Sequence, residues 1–122
     1  MNPAVKELSE AVQRYFDLMY DCDVSNFDQV FYPTSQLHGF REGKMTMWAA
    51  SEYKGVLAKR ESPKSLGAPR DEAILLLDVA SDTQAFVKAK VRINTSVFID
   101  YLTFHKIEGS WKITSKGYYL QA

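Results

Sequence analysis

Phe98-Ile99-Asp100-Tyr101-Leu102-Thr103-Phe104 is the stretch from which the fold can be read. With side chains alternating along an extended chain, Phe98, Asp100, Leu102 and Phe104 share one face, and Val97, Ile99, Tyr101, Thr103 and Ile107 share the other. Both faces are largely apolar, so both need cover. Helices of the same chain can supply one cover; a second copy across a two-fold axis is the simplest source of the other, which predicts a homodimer built through the sheet.

Residues 73–80, 84–93 and 111–120 share this period of two. They are separated by Ser81-Asp82, Asn94-Thr95 and Glu108-Gly109, which are tight-turn sequences, so four strands in an antiparallel meander are expected. In 84–93, Ala85, Val87, Ala89, Val91 and Ile93 face one way and Phe86, Lys88, Lys90 and Arg92 the other, the signature of a one-sided strand. Asn94-Thr95-Ser96 also matches a glycosylation acceptor, but its place between two strands makes it a turn.

Upstream the period changes. Asn2-Pro3 is a helix start, and Val5, Leu8, Val12, Tyr15 and Met19 recur three and four apart, which predicts a helix to about Tyr20 with one apolar face. Ser25 and Asp28 suggest a capping box for a short helix carrying Phe27, Val30 and Phe31 and ended by Pro33. Residues 35–40 read as a short strand. Glu42-Gly43-Lys44 then turns into a second amphipathic helix, capped by Thr46 and holding Met47, Trp48, Tyr53, Val56 and Leu57. Residues 62–69, with two prolines and a glycine, read as a mobile loop able to act as a lid. Helices first and strands after indicate one α+β domain over residues 1–122, with the helices on one face of the sheet.

Composition narrows the function. Fifteen basic and fifteen acidic side chains give a net charge of +0, so no long-range field draws in nucleic acid or an anionic membrane. The densest basic run, Lys54, Lys59, Arg60, Lys64 and Arg70, is interrupted by Glu52, Glu61 and Asp71 and reads as a solvated surface. Cys22 is the only cysteine, which rules out a disulfide within the chain and points to a reducing, cytoplasmic setting. The charged N-terminal stretch suits neither a signal-peptide core nor a membrane span. His38 and His105 lie far apart without carboxylates at ligand spacing, and no phosphate-binding glycine loop or nucleophile elbow occurs, so neither metal nor cofactor is expected.

The order of elements resembles the nuclear transport factor 2-like superfamily, and most of all its putative lumazine-binding group. The resemblance is carried by Val12-Gln13-Arg14-Tyr15-Phe16, by Phe27 to Pro33 leading into Leu37-His38-Gly39, by the Phe98–Phe104 stretch, and by Ile107-Glu108-Gly109-Ser110-Trp111-Lys112-Ile113. It implies a cone-shaped, strongly bent antiparallel sheet, cystatin-like in fold, wrapped around a long N-terminal helix and two further helices, with a pocket at the wide end. The superfamily holds isomerases, dehydratases, polyketide cyclases and epoxide hydrolases as well as binding and association modules, so the fold does not choose the function.

Tyr15 and Asp100 match the pair that donates hydrogen bonds to an oxyanion in the ketosteroid isomerases of this superfamily. Burial between Phe98 and Leu102 would favour the protonated form of Asp100, able to donate beside the Tyr15 hydroxyl. The position of the isomerases' catalytic base falls on Gly39, which argues against steroid isomerisation by that route and leaves the adjacent His38 as the available proton carrier. The plainer alternative has Asp100 bonded to Tyr15 and locking sheet to helix. Met19, Phe31, Phe40, Trp48, Tyr53, Leu102 and Phe104 are the candidate pocket wall. Three readings stay open: a binding protein for a small apolar or aromatic molecule; a cofactor-independent isomerase, dehydratase or cyclase using Tyr15, Asp100 and His38; and an association module with a filled cup.

Overall fold

The computed structural model describes residues 3–122. The expected cap at Asn2 lies outside them. Helix α1 spans Pro3–Asp21 and buries Leu8, Val12, Tyr15 and Met19 of the predicted stripe, joined by Ala11, Phe16 and Leu18. It ends where Cys22 turns left-handed, φ 53°, its N–H donating to the Leu18 carbonyl at 2.9 Å. Asp23, not Ser25, caps the 3-10 turn Val24–Asn26, its carboxylate accepting from the Ser25 N–H and hydroxyl. Those two bonds hold the Asp23 carboxyl below its ordinary pKa. Helix α2 follows at Phe27–Val30.

Strand β1 is longer than predicted, Phe31–Arg41, and contains Pro33. It tolerates the proline because its register with the last strand, β6 (Ser110–Leu120), shifts between Phe31 and Gln36, so no ladder donor is required there. The larger departure comes next. Glu42 and Gly43 both have positive φ, 51° and 78°, as a two-residue hairpin turn demands, and the chain returns as strand β2, Lys44–Ala49. Thr46, Met47 and Trp48 therefore belong to a strand, and Thr46 caps no helix; its hydroxyl donates to the Gly39 carbonyl at 2.8 Å and meets the Tyr118 hydroxyl. Helix α3, Ala50–Lys59, starts only where the Glu52 carboxylate accepts from the Ala49 N–H at 2.9 Å.

Strands β3 (Glu72–Val79), β4 (Gln84–Ile93), β5 (Ser96–Ile107) and β6 form the expected meander. The six strands make one sheet in the order β2-β1-β6-β5-β4-β3. It is mixed rather than wholly antiparallel, because β1 runs parallel to β6. Register shifts at Ile74/Leu76 and Thr103/Phe104 bend it, as β-bulges do, around α1. The concave face buries Ala85, Val87, Ala89, Val91, Leu102, Phe104, Trp111 and Ile113 against the helices. Residues 62–69 fold onto the end of α1, with the Lys64 N–H donating to the Tyr20 carbonyl and the Tyr20 hydroxyl to the Ala68 carbonyl, both at 3.0 Å, and they are not among the residues that line the cleft beside Asp100. Among the described residues no helix is long and apolar enough to cross a membrane.

Candidate functional site

The hollow of the bent sheet opens between β2, the end of α3, the β4–β5 hairpin and β6, and its walls include Trp48, Tyr53, Phe98 and Tyr118. The cleft has a cavity volume of about 40 Å³. It is narrow because large side chains crowd it. Trp48 lies 5.6 Å from the Tyr53 ring, which in turn meets Phe31 edge-on at 5.8 Å, so an aromatic column runs from the mouth into the core.

Asp100 forms the floor, 2% exposed. The alternation that pairs Asp100 with Ala89 on β4 and Tyr118 on β6 turns its carboxyl to the concave face, as the sequence predicts. Tyr15, wholly buried on α1, donates to Asp100 Oδ2 at 2.5 Å. Burial, followed by the neighbouring Asp100 charge, holds the Tyr15 hydroxyl well above its ordinary pKa, so it remains a donor. That donor is spent on Asp100 and Tyr15 stands behind the cleft wall; the two groups do not present a pair of donors to a common ligand. Asp100 Oδ1 is buried without a hydrogen-bond partner in a residue that lines the cleft.

Lys116 was not among the predicted residues, and it is the chief addition. Its side chain is 5% exposed, with Nζ 3.9 Å from Asp100 Oδ2 and 3.5 Å from the Tyr53 hydroxyl. The ammonium also lies over the rings of Tyr15 and Tyr53, 5.1 and 5.0 Å from their centroids. Two arginines join it at the cleft: Arg41 from the end of β1, and Arg60, the C-cap of α3 and part of the run read as solvated surface. Arg60 Nη1 is buried without a hydrogen-bond partner. Its guanidinium partly offsets the rise that burial imposes on the Cys22 thiol pKa.

Of the predicted wall, Trp48 and Tyr53 line the cleft. Met19 and Phe31 stand one layer behind, Met19 Sδ accepting from the Tyr53 hydroxyl at 3.3 Å, and Leu102 and Phe104 are buried in the core. Phe40 and His38 are on the wrong side. The β1–β2 register sets them with Met45 and Met47 on the convex face, opposite Leu37 and Trp48, and Phe40 is 65% exposed. His38 thus cannot carry a proton to or from anything held over Asp100. At the isomerase base position, a Cβ on Gly39 would sit 2.6 Å from the Tyr118 carbonyl and against its ring, so no acid side chain fits there without displacing β6.

A bent sheet closing over a long helix, with a cleft at one end, is the nuclear transport factor 2-like fold. Solved structures agree. The chain is similar to a nuclear transport factor 2-like protein of unknown function from Shewanella baltica (TM-score 0.84, 21% identity, 97% of this chain and 94% of that one). It is similar to another from Silicibacter pomeroyi (0.81, 21%, 96% and 95%) and to a ketosteroid isomerase-like protein from Erwinia carotovora (0.77, 12%, 100% and 99%). The profile of the putative lumazine-binding family matches residues 3–119, and the chain belongs to that family. No functionally curated protein matches the sequence.

Proposed function

We propose that the protein, read as one domain over residues 1–122, binds a small molecule in the cleft between Trp48, Tyr53 and Tyr118, over the Asp100–Lys116 floor. The observation that carries this is Asp100 Oδ1, a buried acceptor with no partner, a costly feature unless something supplies a donor. Membership of the putative lumazine-binding family supports a ligand role in general terms. Amide and indole NMR shifts on titration with a fragment library test it. Shifts clustered on the Trp48 indole and the Asp100 and Tyr118 amides are expected; shifts confined to other surfaces, or none, overturn it. The narrow interior favours a second reading, an association module with its cup filled by its own side chains, and the same titration without shifts would support that one.

The partner in either reading is a second copy. Phe40, Met45, Met47, Tyr101 and Tyr119 lie exposed on the convex face, spanning β2, β1, β6 and β5, and contiguous exposed apolar surface of this kind supports a protein partner. Light scattering of the wild type should give twice the chain mass, and Tyr101→Glu should give the chain mass. A single-chain mass for the wild type removes the dimer. The free, half-buried Cys22 supports a cytoplasmic location.

A further inference from the structure

The charge in the cleft does not match the charge of the chain. Arg41, Arg60 and Lys116 line it against one carboxylate, Asp100, an excess of two positive charges in a chain of net charge +0. Among the described residues neither arginine has a carboxylate within 4.0 Å, whereas Arg70, on the outside, has two, Asp17 at 2.9 Å and Glu72 at 2.6 Å. Lys116 is buried with three N–H donors and a single long bond to Tyr53. Arg60 Nη1 is buried and unbonded at the same cleft. Lys116 is buried, Arg60 half-buried and Arg41 exposed at the mouth; cations held in a cleft without a full set of partners from their own protein mark an anion site. The remaining polar group, Asp100 Oδ1, needs the opposite, a donor. The walls between these groups are flat rings.

Resting on the reading of this cleft as a ligand site, we infer that it selects a planar aromatic or conjugated carboxylate that also carries a hydroxyl or amino donor. Its acid group meets Arg60, Lys116 and Arg41, its donor meets Asp100 Oδ1, and its ring lies along Trp48 and Tyr118. A neutral apolar molecule leaves every one of these polar groups unserved, and a cation meets two excess like charges.

Three probes of one shape separate the terms: 4-hydroxybenzoate, benzoate without the donor, and 4-hydroxybenzamide without the charge. Binding is followed by shifts of the Trp48 indole and Tyr118 amide. The hydroxy acid should bind most tightly and the amide at least about tenfold more weakly. Arg60→Gln and Arg41→Gln, at a helix end and a strand end, should each cut the preference for acid over amide several-fold. Equal affinity for acid and amide, or a preference that survives both substitutions, overturns the anion site but leaves the cleft as a ligand site. No shift at Trp48 or Tyr118 with any of the three overturns both.

Discussion

Replacing Tyr15 by Phe removes one oxygen and tests the centre of the structure. The ring keeps its place: Phe at 15 retains the packing on Phe16 and Phe31, whose centroids lie 6.1 Å away. What goes is the 2.5 Å bond to Asp100 Oδ2. Asp100 is 2% exposed, Oδ1 has no partner and Lys116 Nζ stands 3.9 Å off, so water cannot replace the lost donor and no protein group is at bonding distance. A hydrogen bond to a charged group contributes about 1.5–3 kcal/mol, so a loss of about 2 kcal/mol is expected, or roughly 7 °C in Tm for a domain of this size. Urea unfolding at pH 7 followed by circular dichroism measures it. Comparison with Asp100→Asn and the double variant gives the coupling, expected above about 1 kcal/mol. The raised Tyr15 pKa adds a second readout. Above about pH 10 the unfolded chain releases a tyrosine proton that the native state keeps, so stability falls as pH rises through that range. In Tyr15→Phe this alkaline decline should be shallower. A coupling under about 0.5 kcal/mol together with an unchanged alkaline limb would refute the Tyr15–Asp100 account.

Two further outcomes follow from single positions. Gly39→Ala drives a Cβ to 2.6 Å from the Tyr118 carbonyl, which cannot yield as a side chain would, so a loss of about 2 kcal/mol or more is expected in thermal melts; an unchanged Tm would mean that β1 and β6 are not so closely paired. Burial already raises the Cys22 thiol pKa and Arg60 opposes that rise, so Arg60→Gln should slow iodoacetamide labelling at pH 8, and faster labelling would contradict the contact.

How far the sequence could be read depended on whether strict periodicity held. It held in β4 and β5, where an uninterrupted ladder keeps every second residue on one face and Asp100 falls inward as alternation requires. It failed at β6. Thr103 pairs with Ser115 but Phe104 pairs with Ile113, so Thr114 is an extra residue and the faces exchange beyond it. Counted from the buried Trp111 and Ile113, Lys116 belongs outside; after the bulge it points inward with Tyr118. One inserted residue hid the cleft's central cation. The β2 error has a different source. Met, Trp and Ala around positions 45–50 suit a helix, but two successive left-handed residues at Glu42 and Gly43 commit the chain to a returning strand. On β1, Phe40 and His38 pair with Met45 and Met47 of that strand on the convex face. Arg60 had no local signal, because the end of α3 aims it and not its neighbours in sequence.

The energetics of the floor bear on why it is there. Stability alone does not call for Lys116 under Tyr53 and beside Asp100: moving an ammonium and a carboxylate out of water costs several kcal/mol each, and attraction across 3.9 Å without a direct hydrogen bond recovers only part of that. Apolar side chains of the same volume would pack the hollow at lower cost, as Leu102, Phe104 and Ile113 do a short distance away. The surface pairs show the contrast. Lys106–Glu7 at 2.8 Å and Arg70–Glu72 at 2.6 Å have close bonds and partial hydration, and they leave no buried atom unserved. At the floor, by contrast, Tyr15 and Tyr53 hold the two charges near but not against each other, with one carboxylate oxygen spare. An arrangement that spends stability to keep polar atoms poised is explained by what it holds, and its two kinds of unserved group, donor and acceptor, describe a ligand of complementary polarity better than they describe a core.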